Sequence, residues 1–361
     1  VTRHLVHVFP AFELGGVQAR TATWINALGP GFRHSIISLN GNLDCRDRLA
    51  PGLRIDFVAA PAARGGPPGH LLACRRLLRR LRPDVLLTNN WGSIEWVLAA
   101  RGLPGCRRLH VESGFGSEEA DRDYRRRALI RRLVLTGDVR VIVPSRRLRE
   151  RAVTGWRLDP ARLTLVPDGI DCALFAAAAD ARPPAARPFT VGSVAVLREE
   201  KRLDLLLEAF AIVRATVPAR LVIAGDGPER KALEARARAL GLVADVEFTG
   251  FITDVENVYP DLDVFVLSSE TEQTPNSVLQ AMAAGLPVVS TDVGDVRQMI
   301  APESAPYLTP AGDVAGLAWH ILTLARDPSL RRRLAEANRR RAFEAFDLGG
   351  MVEAYRALVS A

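Results

Sequence analysis

Short apolar runs alternate along the whole chain with stretches whose apolar residues recur at helical spacing. The runs at 4–9, 34–39, 55–59, 85–88, 108–114, 139–144, 189–196, 221–224, 246–251, 264–267 and 286–290 read as strands. The stretches at 19–28, 69–81, 121–135, 203–215, 276–284, 331–346 and 351–359 read as helices, with a further one opening at Ser145. Strand and helix in regular turn predict an α/β protein with parallel, doubly wound sheets. Residues 163–171 close a first domain, and 176–188, rich in Ala, Pro and Arg, read as a linker. The expected division is 1–170, 171–345 and a last helix, 346–361, that crosses back to the first domain.

The stretch 263–295, DVFVLSSETEQTPNSVLQAMAAGLPVVSTDVGD, shows the unit most fully. Val264–Leu267 is an apolar strand, 268–275 a polar loop, and 276–284 a helix whose apolar face is Val278, Leu279, Met282 and Ala283. Gly285 stands where a helix C-cap belongs, and the next strand follows. In such a βαβ unit the loop beyond the strand's carboxyl end is where ligands bind. Pro275 fits the first turn, which leaves the amides of Asn276, Ser277 and Val278 turned outward, a setting that attracts phosphate. Glu272 lies just before it, where a carboxylate accepts hydrogen bonds from sugar hydroxyls. Gln280 comes two turns later and faces the same side.

Composition narrows the class. The 361 residues are 48% hydrophobic, enough for two ordinary domains, and no apolar run approaches a membrane span. The N-terminal LVHVF is too short for a signal peptide. Four cysteines, at 45, 74, 106 and 172, show no metal spacing and fit a reducing, cytoplasmic setting. The net charge of +7 is uneven: residues 1–170 carry 28 Arg against 15 acidic side chains. Coding bias toward arginine accounts for most of this, since lysine occurs only at 201 and 231. The most basic stretch is 121–135, with Arg122, Arg125, Arg126, Arg127, Arg131 and Arg132 around an apolar side. It reads either as a solvated surface helix or as a peripheral contact, from Arg122 to Arg132, with the anionic inner face of a membrane. No nucleic-acid-binding motif accompanies the charge.

The 263–295 segment resembles the signature of the retaining glycosyltransferases of family 4: an acid, seven residues, a second acid, then AMA-x-G-x-PVV. Glu272 matches the first acid, and Gln280 stands where the second is expected. The resemblance extends to Gly15 and Gly16 between the first strand and helix, to PDGID at 167–171, to Lys201, and to GDGPE at 225–229. It implies a GT-B architecture, two doubly wound Rossmann-like domains facing across a cleft, the first for an acceptor and the second for a nucleotide-sugar. It implies transfer with retention of configuration, no cofactor and no essential metal. The residues it assigns to catalysis are Glu272, Lys201 and Ser113. Donor-binding positions are Gly15, Gly16, Arg198, Lys201, Gly250, Phe251, Glu272, Thr274, Pro275, Asn276, Ser277, Val278 and Gln280. Asn89, Asn90, Trp91 and Glu112 fall on the acceptor side, a glycan, lipid-linked or small molecule.

Three positions depart from the family pattern. Ser113 stands for a histidine that reaches the reacting sugar, Val196 for a diphosphate-binding arginine, and Gln280 for glutamate. His110 alternates with Leu109 and Val111 and is read as a core or supporting residue. Two rivals therefore stay open. One is a nucleotide-sugar-binding scaffold without turnover. The other is a sugar-nucleotide epimerase, for which His110 with Glu112 is the acid/base pair on offer.

Overall fold

The structure is a computed structural model and describes residues 2–62, 66–113, 125–181 and 187–361. The chain forms two compact units, Val1–Asp168 with Gly349–Ala361, and Gly169–Leu348.

The first unit is built on seven strands: β1 (Arg3–Phe9), β2 (Phe32–Ser38), β3 (Arg54–Phe57), β4 (Val85–Asn89), β5 (Arg107–Val111), β6 (Arg140–Val143) and β7 (Leu163–Leu165). Their order in the sheet is β3-β2-β1-β4-β5-β6-β7, and all described pairings are parallel. The central strands β1 and β4 are buried on both faces, as parallel sheets covered by helices require, and they carry polar residues such as His7 and Thr88 into the interior. The sheet order reverses between β1 and β4, so a switch point lies at their carboxyl ends. The returning segment belongs to this unit: Tyr355 stacks on Trp24 with ring centroids 4.7 Å apart. Arg3 and Arg107 donate to the carbonyls of Val359 and Leu358.

The second unit has six strands: β8 (Phe189–Val194), β9 (Ala219–Ala224), β10 (Val246–Gly250), β11 (Val264–Leu267), β12 (Val288–Thr291) and β13 (Leu308–Thr309). Their order is β10-β9-β8-β11-β12-β13, which repeats the winding, with the switch point between β8 and β11. One face packs under the helices Leu203–Arg214, Arg230–Ala239 and Val314–Arg326, with Phe210, Leu233 and Ile321 buried in that core. The other packs under Cys172–Asp180, Asn276–Ala283 and Pro328–Ala345 through Phe175, Met282 and Ala342.

Some expectations need correction. The linker expected from 176 begins as helix: Cys172–Asp180 is capped by Asp171, which accepts from the Leu174 amide at 3.0 Å, and buries Phe175 and Ala176. Its alanines are helix formers before they are linker residues. Residues 182–186 of that stretch, and Gly114 and Arg122 of the first unit, lie outside the described residues. The helix Val314–Arg326, capped by Asp313, was not expected at all.

Candidate active site

In the second unit, the chain leaving β8 and the chain leaving β11 meet at the switch point. Lys201 arrives from the first and Glu272 from the second, and Lys201 Nζ stands 2.6 Å from Glu272 Oε1. Ser269 donates to the same carboxylate oxygen at 2.8 Å. The pair is held from both backbones, since Ser268 Oγ donates to the Lys201 carbonyl and the Glu270 amide to Glu200. It is not sealed: the lysine side chain is 23% exposed and the glutamate 11%.

Two glycine-bearing turns brace these loops. A Cβ on Gly225 would lie 1.9 Å from the Ala195 carbonyl oxygen, and one on Gly227 2.4 Å from that of Leu197. The turn leaving β9 can therefore press directly on the 195–197 strand exit, where the Leu197 amide donates to the Asp226 carbonyl and the Glu229 amide donates to the Leu197 carbonyl. This is why a glycine pair occurs at 225–227, and a dinucleotide site is not needed to explain it. Gly294, at φ +56°, does the same for the other loop: a Cβ there would meet the Gln273 carbonyl at 2.4 Å.

The helix Asn276–Ala283 begins beside Glu272. Pro275 precedes it, no side chain caps it, and no acidic residue lies in its first turn. Its start therefore keeps the positive end of the backbone dipoles uncompensated. Gln280 is half-buried and accepts from the Tyr259 hydroxyl at 2.7 Å. Burial pushes the Tyr259 phenol well above its usual pKa, so it remains a donor. Arg198 is 61% exposed and lies 4.0 Å from Glu200. Val196 is exposed, as is Phe251, which follows Gly250 at the end of β10.

The first unit is arranged differently. Gly15 and Gly16 open the helix Gly16–Leu28, and a Cβ on Gly16 would meet nothing within 4 Å. Asn90, at φ +57°, accepts from the Ser113 amide at 2.8 Å. Arg20 donates to Ser113 Oγ at 2.5 Å and pairs with Asp168.

Several residues expected on the acceptor side are occupied instead. Asn89 is buried and donates to the Val8 carbonyl. Glu112 is fully buried, 3.1 Å from Arg131 Nε and 3.3 Å from His110 Nε2, so its carboxylate cannot face a ligand. Burial opposes its charge, but the His110 hydrogen bond and the Arg131 guanidinium more than offset this and hold its pKa below the ordinary value. Arg131 is itself set between Trp156, at 4.3 Å, and Trp91, at 5.1 Å. Trp91 is thus a packing partner. His110, bonded through Nδ1 to Thr88, sits in the core. The one acid/base pair that an epimerase had on offer is sealed in this cluster. A surface depression of about 820 Å³ lies at edge strand β7, lined by Arg146, Arg149 and Thr164 among others. None of the candidates reaches it.

Comparison with known proteins identifies the family. The profile of the glycosyl transferases group 1 matches residues 178–341, and that of glycosyltransferase family 4 matches 14–174. The 2-deoxystreptamine N-acetyl-D-glucosaminyltransferase of Streptomyces fradiae is 30% identical over 75% of this chain and 73% of its own. The chain belongs to glycosyltransferase family 4. The lipopolysaccharide core biosynthesis glycosyltransferase LpsE of Rhizobium meliloti is 27% identical over 99% of this chain and 95% of its own. Anabaena HepE, solved with UDP-glucose, is 17% identical over 99% of each chain with a TM-score of 0.78, which shows the shared GT-B fold.

For this glycosyltransferase, sequence reasoning named Lys201 and Glu272 but missed their supports. Tyr259 carried no signal, being one buried aromatic among several. Ser269 lies within the quoted signature and was passed over as loop. Arg20 was lost among the many arginines, although its place one turn after a glycine pair was a usable clue.

Proposed function

We propose that this glycosyltransferase takes its sugar from a nucleoside-diphosphate sugar and transfers it with retention of configuration. The observation that carries the reading is the half-open Lys201–Glu272 pair beside an uncapped helix start, at the switch point of the second unit. A departing diphosphate carries growing negative charge, and an ammonium group with free backbone donors is what stabilises it. Lys201 supplies that charge on the protein side, which is the basis for proposing a reaction without an essential metal. Glu272 then accepts from sugar hydroxyls in place of Lys201 and Ser269. Gln280, steadied by Tyr259, meets the ribose, and Gly250 with Phe251 the base. Arg198 is exposed enough to approach the diphosphate in place of the missing arginine at 196. In the first unit, Gly16 is not required by the chain's own packing, which supports a ligand's close approach there. HepE, of the same fold, was solved with UDP-glucose, which supports a uridine donor as the first to try.

The test is donor binding by calorimetry followed by release of nucleoside diphosphate with candidate acceptors. Retention is read from the anomeric configuration of the product by NMR, and metal independence from activity in EDTA. Tight donor binding without release over a broad acceptor panel supports the scaffold reading instead. That reading draws on one observation, the exposed Val196 where the family has a cation.

The membrane contact is also proposed, on a sharper footing than charge alone. No helix among the described residues is long and apolar enough to cross a membrane. On the helix Arg125–Val134, Leu129 and Leu133 are 54% and 62% exposed, one turn apart, with Arg125, Arg126 and Arg132 exposed around them. Leucines for the acyl boundary and arginines for phosphates fit an anionic lipid surface and a lipid-linked acceptor.

A further inference from the structure

Arg20 is a buried cation that packing does not explain. Its side chain is 7% exposed, and its Nε is buried with no hydrogen-bond partner. Leaving such a donor unmade costs about 1–3 kcal/mol, which a leucine or methionine in the same place would avoid. Asp168 neutralises the charge without requiring it, since neither side chain would be needed in an apolar core. The remaining contact is Nη2 to Ser113 Oγ.

That contact fixes what the serine can do. A hydroxyl has two lone pairs and one hydrogen. Arg20 occupies a lone pair, so the hydrogen remains, and a cation on the oxygen strengthens it as a donor. Ser113 is half-buried, and its hydroxyl donates to no acceptor among the described residues. Its amide is pinned by Asn90 Oδ1 at 2.8 Å, and the Asn90 amide is pinned in turn by the Val111 carbonyl. Asn90 and Ser113 follow the ends of β4 and β5, and Arg20 lies in the helix Gly16–Leu28 that follows β1, beside the first unit's switch point.

We propose that Arg20 is a positioning residue that holds Ser113 as an oriented hydrogen-bond donor to a hydroxyl oxygen of the sugar substrate. The proposal rests on the glycosyltransferase reading above. It assigns to a two-residue relay the contact that the family resemblance expects of a single histidine at position 113. Arg20 acts through the serine and does not touch the sugar.

The experiment is a mutant cycle on the full chain, with kcat and KM measured for the donor found by the binding screen. Ser113→Ala should lower kcat/KM about 10- to 100-fold, and Arg20→Met should lower it as much. The double variant should be no worse than either, because both remove one contact. Deoxy analogues of donor and acceptor supply the readout that a structural role leaves unmoved. One of them should show the loss in the wild type and no further loss in either variant. Arg20→Lys keeps the charge beside Asp168 but has one donor group where two are needed. It should melt close to the wild type yet repeat the loss, and it replaces Arg20→Met in the cycle if that variant does not fold. Losses that multiply in the double variant, or an Arg20 variant with unchanged kcat/KM, overturn the proposal alone. A wild type that neither binds nor turns over any nucleotide-sugar overturns the proposed function and this inference with it.

Discussion

The switch points of the two units handle charge in opposite ways. In the second unit, Lys201 and Glu272 face each other while still reached by solvent, and the helix start beside them has no cap. In the first, Glu112 and Arg131 are sealed inside against each other, and Arg20 is buried against Asp168. The winding of the sheets is the same, so the difference lies in the loops. A partly solvated pair with spare bonding capacity can exchange partners at little desolvation cost, which suits it to a ligand. A sealed pair cannot, because removing one partner leaves a buried charge worth several kcal/mol. Sealed charges therefore brace, and open ones bind.

The contrast is broken most directly at Glu272. Glu272→Ala should lower kcat about 10³-fold, near the upper end for losing one transition-state contact, while circular dichroism stays that of the wild type. Unchanged turnover would remove the pair from the chemistry. Lys201→Ala should cost about 10²-fold in kcat/KM. Calorimetry should place the loss on the diphosphate and leave binding of the bare nucleoside alone.

A third prediction concerns stability and separates the units by pH. His7 and His34 lie side by side on β1 and β2, with Nε2 to Nδ1 at 3.0 Å. Burial, then the field of His4, lowers the His34 pKa to about 4. Burial, then His34, lowers that of His7 well below the ordinary imidazole value. Both are neutral in the fold. As pH falls from 6.5 toward 4, the unfolded chain takes up protons that the fold refuses, so stability is lost across that window. For His34 alone the loss is about 3 kcal/mol. Of the six histidines only His320 lies in the second unit. Tryptophan fluorescence, drawn mostly from Trp24, Trp91, Trp96 and Trp156 of the first unit, should therefore report an acid transition there. A melting midpoint that is flat between pH 7 and 4.5 would contradict it.

These cases also show what was legible in the sequence. The β11–helix–β12 unit is readable because its signals agree: an apolar strand, a proline-led helix and a glycine stop. Parallel, doubly wound sheets follow from repeating that alternation, but the short edge strands β7 and β13 carry too little pattern to be read. The helix Cys172–Asp180 was hidden because alanine is compatible with both linker and helix, and only burial of Phe175 decides. Glu112 could not be placed because a carboxylate at a strand end looks the same whether it meets ligand or an arginine 19 residues on. Pairing at a distance is the part of a site that local pattern does not carry.

Two smaller tests sharpen the comparison. Gln280→Glu gives the Tyr259 hydroxyl a charged acceptor and should tighten nucleotide binding up to about tenfold. Weaker binding would show that the amide, not the oxygen, is the group in use. Leu129→Asp with Leu133→Asp should reduce co-sedimentation with anionic vesicles about fivefold without altering donor affinity in solution. Equal binding to neutral and anionic vesicles would count against the arginines.

The return of residues 349–361 to the first unit carries a consequence for synthesis. Trp24 waits for Tyr355, and Arg3 for Val359, across almost the full length of the chain. The second unit is contiguous in the chain, whereas the first, though it is made earlier, cannot be completed until residues 349–361 join it. A chain released after residue 348 would hold every residue of the second unit and lack the segment that completes the first.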